Sequence, residues 1–264
     1  MNCLRIVGFG VKTSQLTQEA ISHFSYSKKI LWLGTMPGFA EMVAKHHWNA
    51  ENITYLYNNG DLDTSNYRKI KEKVLAELNN HHDIALVVLG HPRLGVTIVQ
   101  EFEAERTKQQ FDLIVTPGIS SFDTMINDLA IDPIEEGTCL LDANRLLLYD
   151  YQMDPCLNYF VYHICSVGNS NTDYEDPAQR NGLIFLKEKL LKHFLPTHLI
   201  TLISSSASDN YLPLFIKKSI SVLEDLLPHI TYASSLFIPG ALPLSSQVNR
   251  KFLSFITKNT DYAQ

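Results

Sequence analysis

The chain has 264 residues, of which 45% are hydrophobic and 19% charged, and a formal net charge of -6 at neutral pH. That length can bury one large core or two smaller ones, and the acidic balance argues against a general nucleic-acid binder, which carries a basic face. No apolar run reaches the roughly 18 residues of a membrane span and the N-terminus carries no secretory leader, so the expectation is a cytoplasmic protein with no membrane or nucleic-acid partner.

Apolar runs at residues 4–8, 29–33, 53–57, 84–89 and 112–115 predict strands, with helical patterns at 15–24, 38–46, 64–79 and 96–108 between them. Such alternation predicts a largely parallel sheet. The run Ile84-Ala85-Leu86-Val87-Val88-Leu89 is apolar throughout, as a strand buried on both faces should be. A helix begins near Ser120. Beyond it, strands are expected at 139–141, 146–149, 158–167, 198–204 and 231–238, with helices at 177–194 and 209–226 and with antiparallel pairing. The segment 168–180 is polar and reads as an exposed loop. The fold class is α/β, with two α/β domains: residues 1–117 around a mainly parallel sheet and 118–264 around a mixed one.

Two Gly/Pro loops stand out. Gly90-His91-Pro92 follows the fourth strand and Thr116-Pro117-Gly118-Ile119-Ser120-Ser121 follows the fifth. Ligands of open α/β sheets bind outside the carboxyl ends of strands, so these loops suggest a crevice. Gly8 and Gly10 follow the first strand, but position 13 is Thr13 and the second strand ends in Gly34-Thr35. The dinucleotide fingerprint is therefore incomplete, which leaves either a tight turn or a turn that lines a cofactor crevice. His91 is either a turn residue or a ligand contact. Tyr55, Tyr57, Asp61, Asp63 and Tyr67 make a polar, aromatic stretch. It reads either as packing followed by a helix capped by Thr64 or Ser65, or as a site that positions a carbonyl through tyrosine hydroxyls. Cys3, Cys139, Cys156 and Cys165 form no Cys-x-x-Cys pair and read as reduced thiols. His46-His47 and His81-His82 read as helix ends, and no metal site is expected.

Taken together, Val7-Gly8-Phe9-Gly10, Gly90-His91-Pro92 and Pro117-Gly118-Ile119-Ser120-Ser121 resemble the S-adenosylmethionine-dependent tetrapyrrole methylase superfamily. Its members place the cofactor in a cleft between two domains. Finer detail resembles the borosin peptide backbone α-N-methyltransferases: the histidine of Gly90-His91-Pro92, Asp123, Ile131-Asp132-Pro133, the run Gly137-Thr138-Cys139-Leu140-Leu141-Asp142-Ala143, and Ser235-Leu236-Phe237-Ile238-Pro239.

The resemblance implies methyl transfer from S-adenosylmethionine, leaving S-adenosylhomocysteine, to amide nitrogens of a peptide. Tyr57 and Tyr67 match two active-site tyrosines. Asp63 stands where an arginine is expected, Leu89 where a tyrosine is expected and His163 where a glutamine is expected. Tyr57, Tyr67 and Asp63 are the implied catalytic residues. Gly8, Gly10, Leu89, Gly90, His91, Leu94, Gly95, Ser120, Ser121, His163, Ser205, Ser234 and Ser235 are the implied cofactor contacts. The 25 residues after Pro239 are expected to be too few for a peptide-bearing extension, which implies a precursor peptide on a separate chain. A homodimer is also implied, with Tyr149 and Tyr151 as exposed aromatics. The alternatives are a methyltransferase of the same fold for a small molecule or tetrapyrrole-like macrocycle, and a non-catalytic relative that binds cofactor or peptide.

Overall fold

A computed structural model describes residues 2–241 and 248–260. Five strands form the first sheet: β1 (Cys3–Gly8), β2 (Lys29–Trp32), β3 (Ala50–Asn52), β4 (Asp83–Val88) and β5 (Asp112–Thr116). Their order is β3-β2-β4-β1-β5 and every pairing is parallel. Four helices connect them: α1 (Gln18–Tyr26), α2 (Phe39–His46), α3 (Asp63–His81) and α4 (Thr97–Gln109).

Alternate residues of the central strands feed two cores. Val7, Phe9, Ile30, Ala85 and Val87 pack with Ala20 and Phe24 of α1 and Phe39 of α2. Leu4, Ile6, Leu31, Ile84, Leu86 and Val88 pack with Ile70, Val74 and Leu78 of α3 and with Ile98, Val99 and Phe102 of α4. The chain thus leaves neighbouring β1 and β4 toward opposite faces, which opens a crevice at their carboxyl ends.

The second sheet has the order β6-β7-β10-β8-β9. Its strands are β6 (Thr138–Asp142), β7 (Asn158–Tyr162), β8 (Leu199–Ser204), β9 (Leu214–Ser219) and β10 (Ser235–Ile238). β6 and β7 are parallel and the remaining pairs antiparallel. Tyr159, Val161, Ile200, Leu202, Leu236 and Ile238 face a core shared with α6 (Ala143–Leu148) and α7 (Leu183–Leu191). Phe160, Ile203 and Phe237 face Met125 of α5 (Ser121–Leu129). α8 (Arg250–Thr260) follows, with Phe252 and Phe255 exposed.

Several expected elements are corrected. The strand expected at 53–57 is the short β3, which ends where the Asn52 side chain accepts the Thr54 amide at 2.9 Å and turns the chain into a 3-10 turn at Thr54–Leu56. The expected strand at 146–149 is α6, because the Asp142 carboxylate accepts the Arg145 amide at 2.8 Å and caps a helix there. The strand expected through 167 stops at Tyr162, where His163 turns left-handed (φ 56°) into a 3-10 turn. The helix expected from 177 begins only at Leu183.

The largest departure is the helix expected at 209–226. Its first five residues are loop, its middle is edge strand β9 and the rest lies in the 3-10 segment Ile220–His229. Half-exposed edge strands alternate weakly, and Lys217 and Lys218 are the charged residues such edges carry. The final strand, expected from 231, starts at Ser235. Neither Thr64 nor Ser65 caps α3; Leu62 holds the cap position, without a side-chain bond. Cys3, Cys139 and Cys165 are free thiols, and His46-His47 and His81-His82 sit at the ends of α2 and α3.

Candidate active site

Three loops meet where β1, β4 and β5 end. Gly90 donates its amide to the Gly10 carbonyl at 2.9 Å, and Gly10 returns a bond of 3.4 Å. Gly8, Gly90 and Gly118 are in backbone contact. A Cβ on Gly8 would lie 2.6 Å from Gly118 N and 2.7 Å from Gly90 O. Only glycine permits that approach. A Cβ on Gly90 itself would meet nothing within 4 Å, so the loop presents bare backbone to open space.

Other expected contacts are spent locally. His91 Nδ1 accepts the Arg93 amide at 3.1 Å, the bond of a turn residue. Ser120 and Asp123 form a capping box at the start of α5, with Ser120 N 2.7 Å from Asp123 Oδ2. Ser205 donates to Asp128 at 2.7 Å, and Ser234 accepts the Thr231 amide at 3.0 Å. Ser235 is buried in β10. Leu89 is 41% exposed and leans over Gly34.

The two sheets are bridged by His163. Its ring lies against Gly95, in the loop after β4, and its Nδ1 is 2.7 Å from Asp142 Oδ2. Burial raises the Asp142 carboxyl, but the bonds from His163 and the Arg145 amide outweigh it and hold it below the ordinary carboxylate range.

Tyr57 and Tyr67 pack edge to face with ring centroids 5.8 Å apart. Burial, then Tyr67, Asp63 and Tyr232, push the Tyr57 hydroxyl far above the ordinary phenol range. It therefore stays protonated and can only donate or accept a hydrogen bond. Asp63, half-buried at the start of α3, accepts from Thr172 Oγ1 at 2.5 Å. Burial raises its carboxyl above the usual range, against the Thr172 bond and the pull of His163, with Asp173 adding to the rise. Tyr232 and Cys165 lie within electrostatic reach of Asp63, and burial pushes the Cys165 thiol up to about 11.

Residues 168–180 form the expected loop and are largely exposed, with two exceptions at its centre. Thr172 and Asp173 are buried, and the segment straps over the start of α3. Gly60 N donates to Thr172 O at 2.7 Å, Thr172 N to Asp61 O at 2.9 Å and Asp63 N to Ser170 O at 3.0 Å. Tyr232, Thr172, Cys165 and Asp142 enter the site beyond the residues singled out from sequence. Asn66 supports it and carried a readable signal: it occupies the first place of the buried series Asn66, Ile70, Val74, Leu78. A polar residue in an apolar helical stripe requires a buried partner.

No protein-family model matches the chain. It is 24% identical over 241 residues to a protein of Gymnopus fusipes named as a methyltransferase and precursor of the cyclic gymnopeptides, covering 89% of this chain and 57% of that one. It is 22% identical over 241 residues to a methyltransferase and type I borosin cyclic peptide precursor of Cerrena unicolor, covering 89% and 58%. The chain thus spans a little over half the length of these relatives. Among solved structures it resembles the uroporphyrin-III-C-methyltransferase of Thermus thermophilus, with a TM-score of 0.61, 15% identity and coverage of 90% and 92%. A cobalt precorrin-4 methyltransferase gives a TM-score of 0.62 at 9% identity, covering 90% and 94%. The chain has the fold of the tetrapyrrole methylases.

Proposed function

We propose that this protein is an S-adenosylmethionine-dependent methyltransferase that methylates backbone amides of a precursor peptide supplied as a separate chain. The observation that carries this reading is the cluster of Tyr57, Tyr67, Asp63 and Tyr232, with His163 in electrostatic reach of Asp63 and packed on Gly95 beside the glycine-lined strand ends. In this reading residues 1–117 and 118–264 are two domains that share the cleft. The names of the fungal relatives join a methyltransferase to a peptide precursor, which supports the acceptor class.

The residues fit the cofactor. Gly90 faces open space. The buried hydroxyl of Thr116, at the end of β5, has no hydrogen-bond partner among the described residues. Buried hydroxyls left unpartnered are sites a polar ligand can satisfy. When bound, S-adenosylmethionine supplies an electrophilic methyl group. Gly8, Gly10 and Gly90 offer backbone contacts, and His163 closes the cleft from the second sheet.

An amide nitrogen is a poor nucleophile, because its lone pair is shared with the carbonyl. Reaction requires donors aimed at the oxygen, where negative charge grows. Tyr57, kept protonated by burial, supplies one such donor and Tyr67 a second. Holding nitrogen and methyl group together supplies much of the remaining acceleration.

The test begins with calorimetry of S-adenosylmethionine and S-adenosylhomocysteine, with micromolar affinity expected, about -8 kcal/mol. Methyl-labelled cofactor is then incubated with a synthetic peptide library blocked at both ends and lacking Lys, Arg and His. Label found on backbone nitrogens by fragmentation mass spectrometry supports the reading; no heat for either ligand sinks it. Asp63 and Leu89, which stand where arginine and tyrosine are implied, favour the second reading of a small-molecule acceptor. Cofactor binding without peptide labelling would select it. A homodimer is part of the proposal. Tyr149 and Tyr151 stack at 5.7 Å and are both exposed, and a single-chain mass by sedimentation at micromolar concentration would refute it.

A further inference from the structure

Asp63 is held by a chain of buried polar groups. Asn66 and Thr172 are both 0% exposed. The Asn58 amide donates to Asn66 Oδ1 at 3.3 Å, and Asn66 Nδ2 donates to the Asn58 carbonyl at 3.0 Å. These two bonds fix which way the Asn66 amide points. Its Nδ2 also donates to Thr172 Oγ1 at 3.0 Å. Having accepted that bond, the Thr172 hydroxyl points its single proton at Asp63 Oδ1, 2.5 Å away. Three backbone bonds between the strap and residues 60–63 lock the same geometry.

One carboxylate oxygen is therefore committed and the other, Oδ2, is left to the site. A carboxylate needed only to favour the start of a helix works from the surface, through the helix dipole, for a few tenths of a kcal/mol to about 1 kcal/mol. It needs no buried Asn–Thr relay reaching from a segment more than a hundred residues away.

We propose that Asp63 is the proton acceptor for the acceptor's N–H group, and that Thr172 is the positioning residue that holds it to that task. The proposal rests on the methyl-transfer reading. As the N–CH3 bond forms and the S–CH3 bond breaks, the nitrogen's proton passes to Asp63 Oδ2. The electron pair of the N–H bond stays on nitrogen, and the sulfur leaves neutral. The tyrosine hydroxyls meanwhile donate to the carbonyl oxygen, which lowers the proton affinity of the amide nitrogen that takes the methyl group. Burial makes Asp63 a stronger base than a surface carboxylate. The groups facing it are His163, Asp173, Tyr57, Tyr232 and Cys165. An arginine at this position would carry charge of the opposite sign and five N–H donors with no acceptor.

The test compares wild type with Asp63→Asn, Thr172→Val and Thr172→Ser, using a peptide labelled in the library assay. Asp63→Asn is expected to lower the transfer rate about 100-fold or more while S-adenosylhomocysteine affinity is unchanged. Thr172→Val removes a bond to the charged carboxylate, so Asp63 binds its proton more tightly. The acid limb of the pH–rate profile should move to higher pH, and Thr172→Ser should restore it. Carbon NMR of labelled aspartate, recorded without cofactor, should show the same upward movement of the Asp63 titration in Thr172→Val. Wild-type turnover in Asp63→Asn overturns the proposal alone. Thr172→Val that melts earlier with both the acid limb and the NMR titration unmoved reduces the relay to a structural role. A wild-type protein that binds no cofactor overturns the methyl-transfer reading instead.

Discussion

The imidazole of His163 lies against Gly95, so that a Cβ built on the glycine would stand 3.2 Å from both Cε1 and Nε2 of the ring. Gly95 is left-handed (φ 70°) and His163 is pinned from behind by Asp142 at 2.7 Å. Gly95→Ala therefore meets two costs. Backbone strain is about 1–2 kcal/mol, and a ring with little freedom to withdraw adds to it. In a His163→Ala background only the strain remains. Urea unfolding of the four proteins in this cycle should show a smaller loss for Gly95→Ala when the ring is absent. Equal losses would mean that the two residues are not coupled.

Gly90 and Gly118 separate folding from ligand binding. A Cβ on Gly118 would stand 2.6 Å from the Gly90 carbonyl oxygen, whereas one on Gly90 meets nothing within 4 Å. Gly118→Ala should displace backbone and lower the unfolding midpoint, with ligand affinity falling as a consequence. Gly90→Leu should fold, at the cost of its left-handed φ of 67°, and project its side chain into the crevice. Calorimetry should then show no S-adenosylhomocysteine binding to a protein that still unfolds cooperatively. Normal binding by Gly90→Leu would place the cofactor elsewhere.

The first sheet was legible because its strands are buried on both faces: Ile84 to Val88 is apolar without a break, and Gly90 and Gly118 mark where backbone crosses backbone. The second half was harder to read for physical reasons. Leu146, Leu147 and Leu148 suit a strand or a helix equally, and the arbiter is one capping bond from Asp142. β9 is an edge strand with most residues partly exposed, so its pattern carries little period. Of the candidate site, Tyr57, Tyr67 and Asp63 fall within eleven residues and announce themselves. Thr172 and Tyr232 reach the same place only through tertiary contacts that no local spacing encodes. The polar composition of 168–180 pointed to solvent, which holds for Tyr174, Glu175 and Asp176 but not for Thr172 and Asp173, whose side chains pair with Asp63, Asn169 and Arg180.

Tyr67 tests the proposed chemistry without touching the crevice. It packs edge to face on Tyr57, and Tyr67→Phe keeps that ring and removes only the hydroxyl. If the hydroxyl steadies charge on the acceptor's carbonyl oxygen, transfer should slow by about tenfold to a thousandfold, with cofactor affinity unchanged. Loss of both together would instead indicate a disturbed cleft. Unchanged kinetics would return this cluster to a packing role.

Acid should loosen the strap before it unfolds the sheets, because of Asp173. Its carboxylate is 4% exposed and takes both Nε and Nη2 of Arg180, with Nε–Oδ2 at 2.9 Å. The Arg180 bond, with Asn169, holds this carboxyl below its ordinary value against burial. A depressed folded-state value means the contribution is fully present above the unfolded value, near 3.9, and is lost as pH falls through the folded one. Asp173→Asn should cost about 1.5–3 kcal/mol at neutral pH, the worth of a charge-assisted bond. The stability gap between wild type and variant should then close as pH drops below about 4. Hydrogen exchange should show the amides of Gly60, Asp63 and Thr172, which carry the strap's backbone bonds, losing protection first. A gap that stays constant down to the lowest pH at which the protein remains folded would mean that Arg180 adds nothing to the strap.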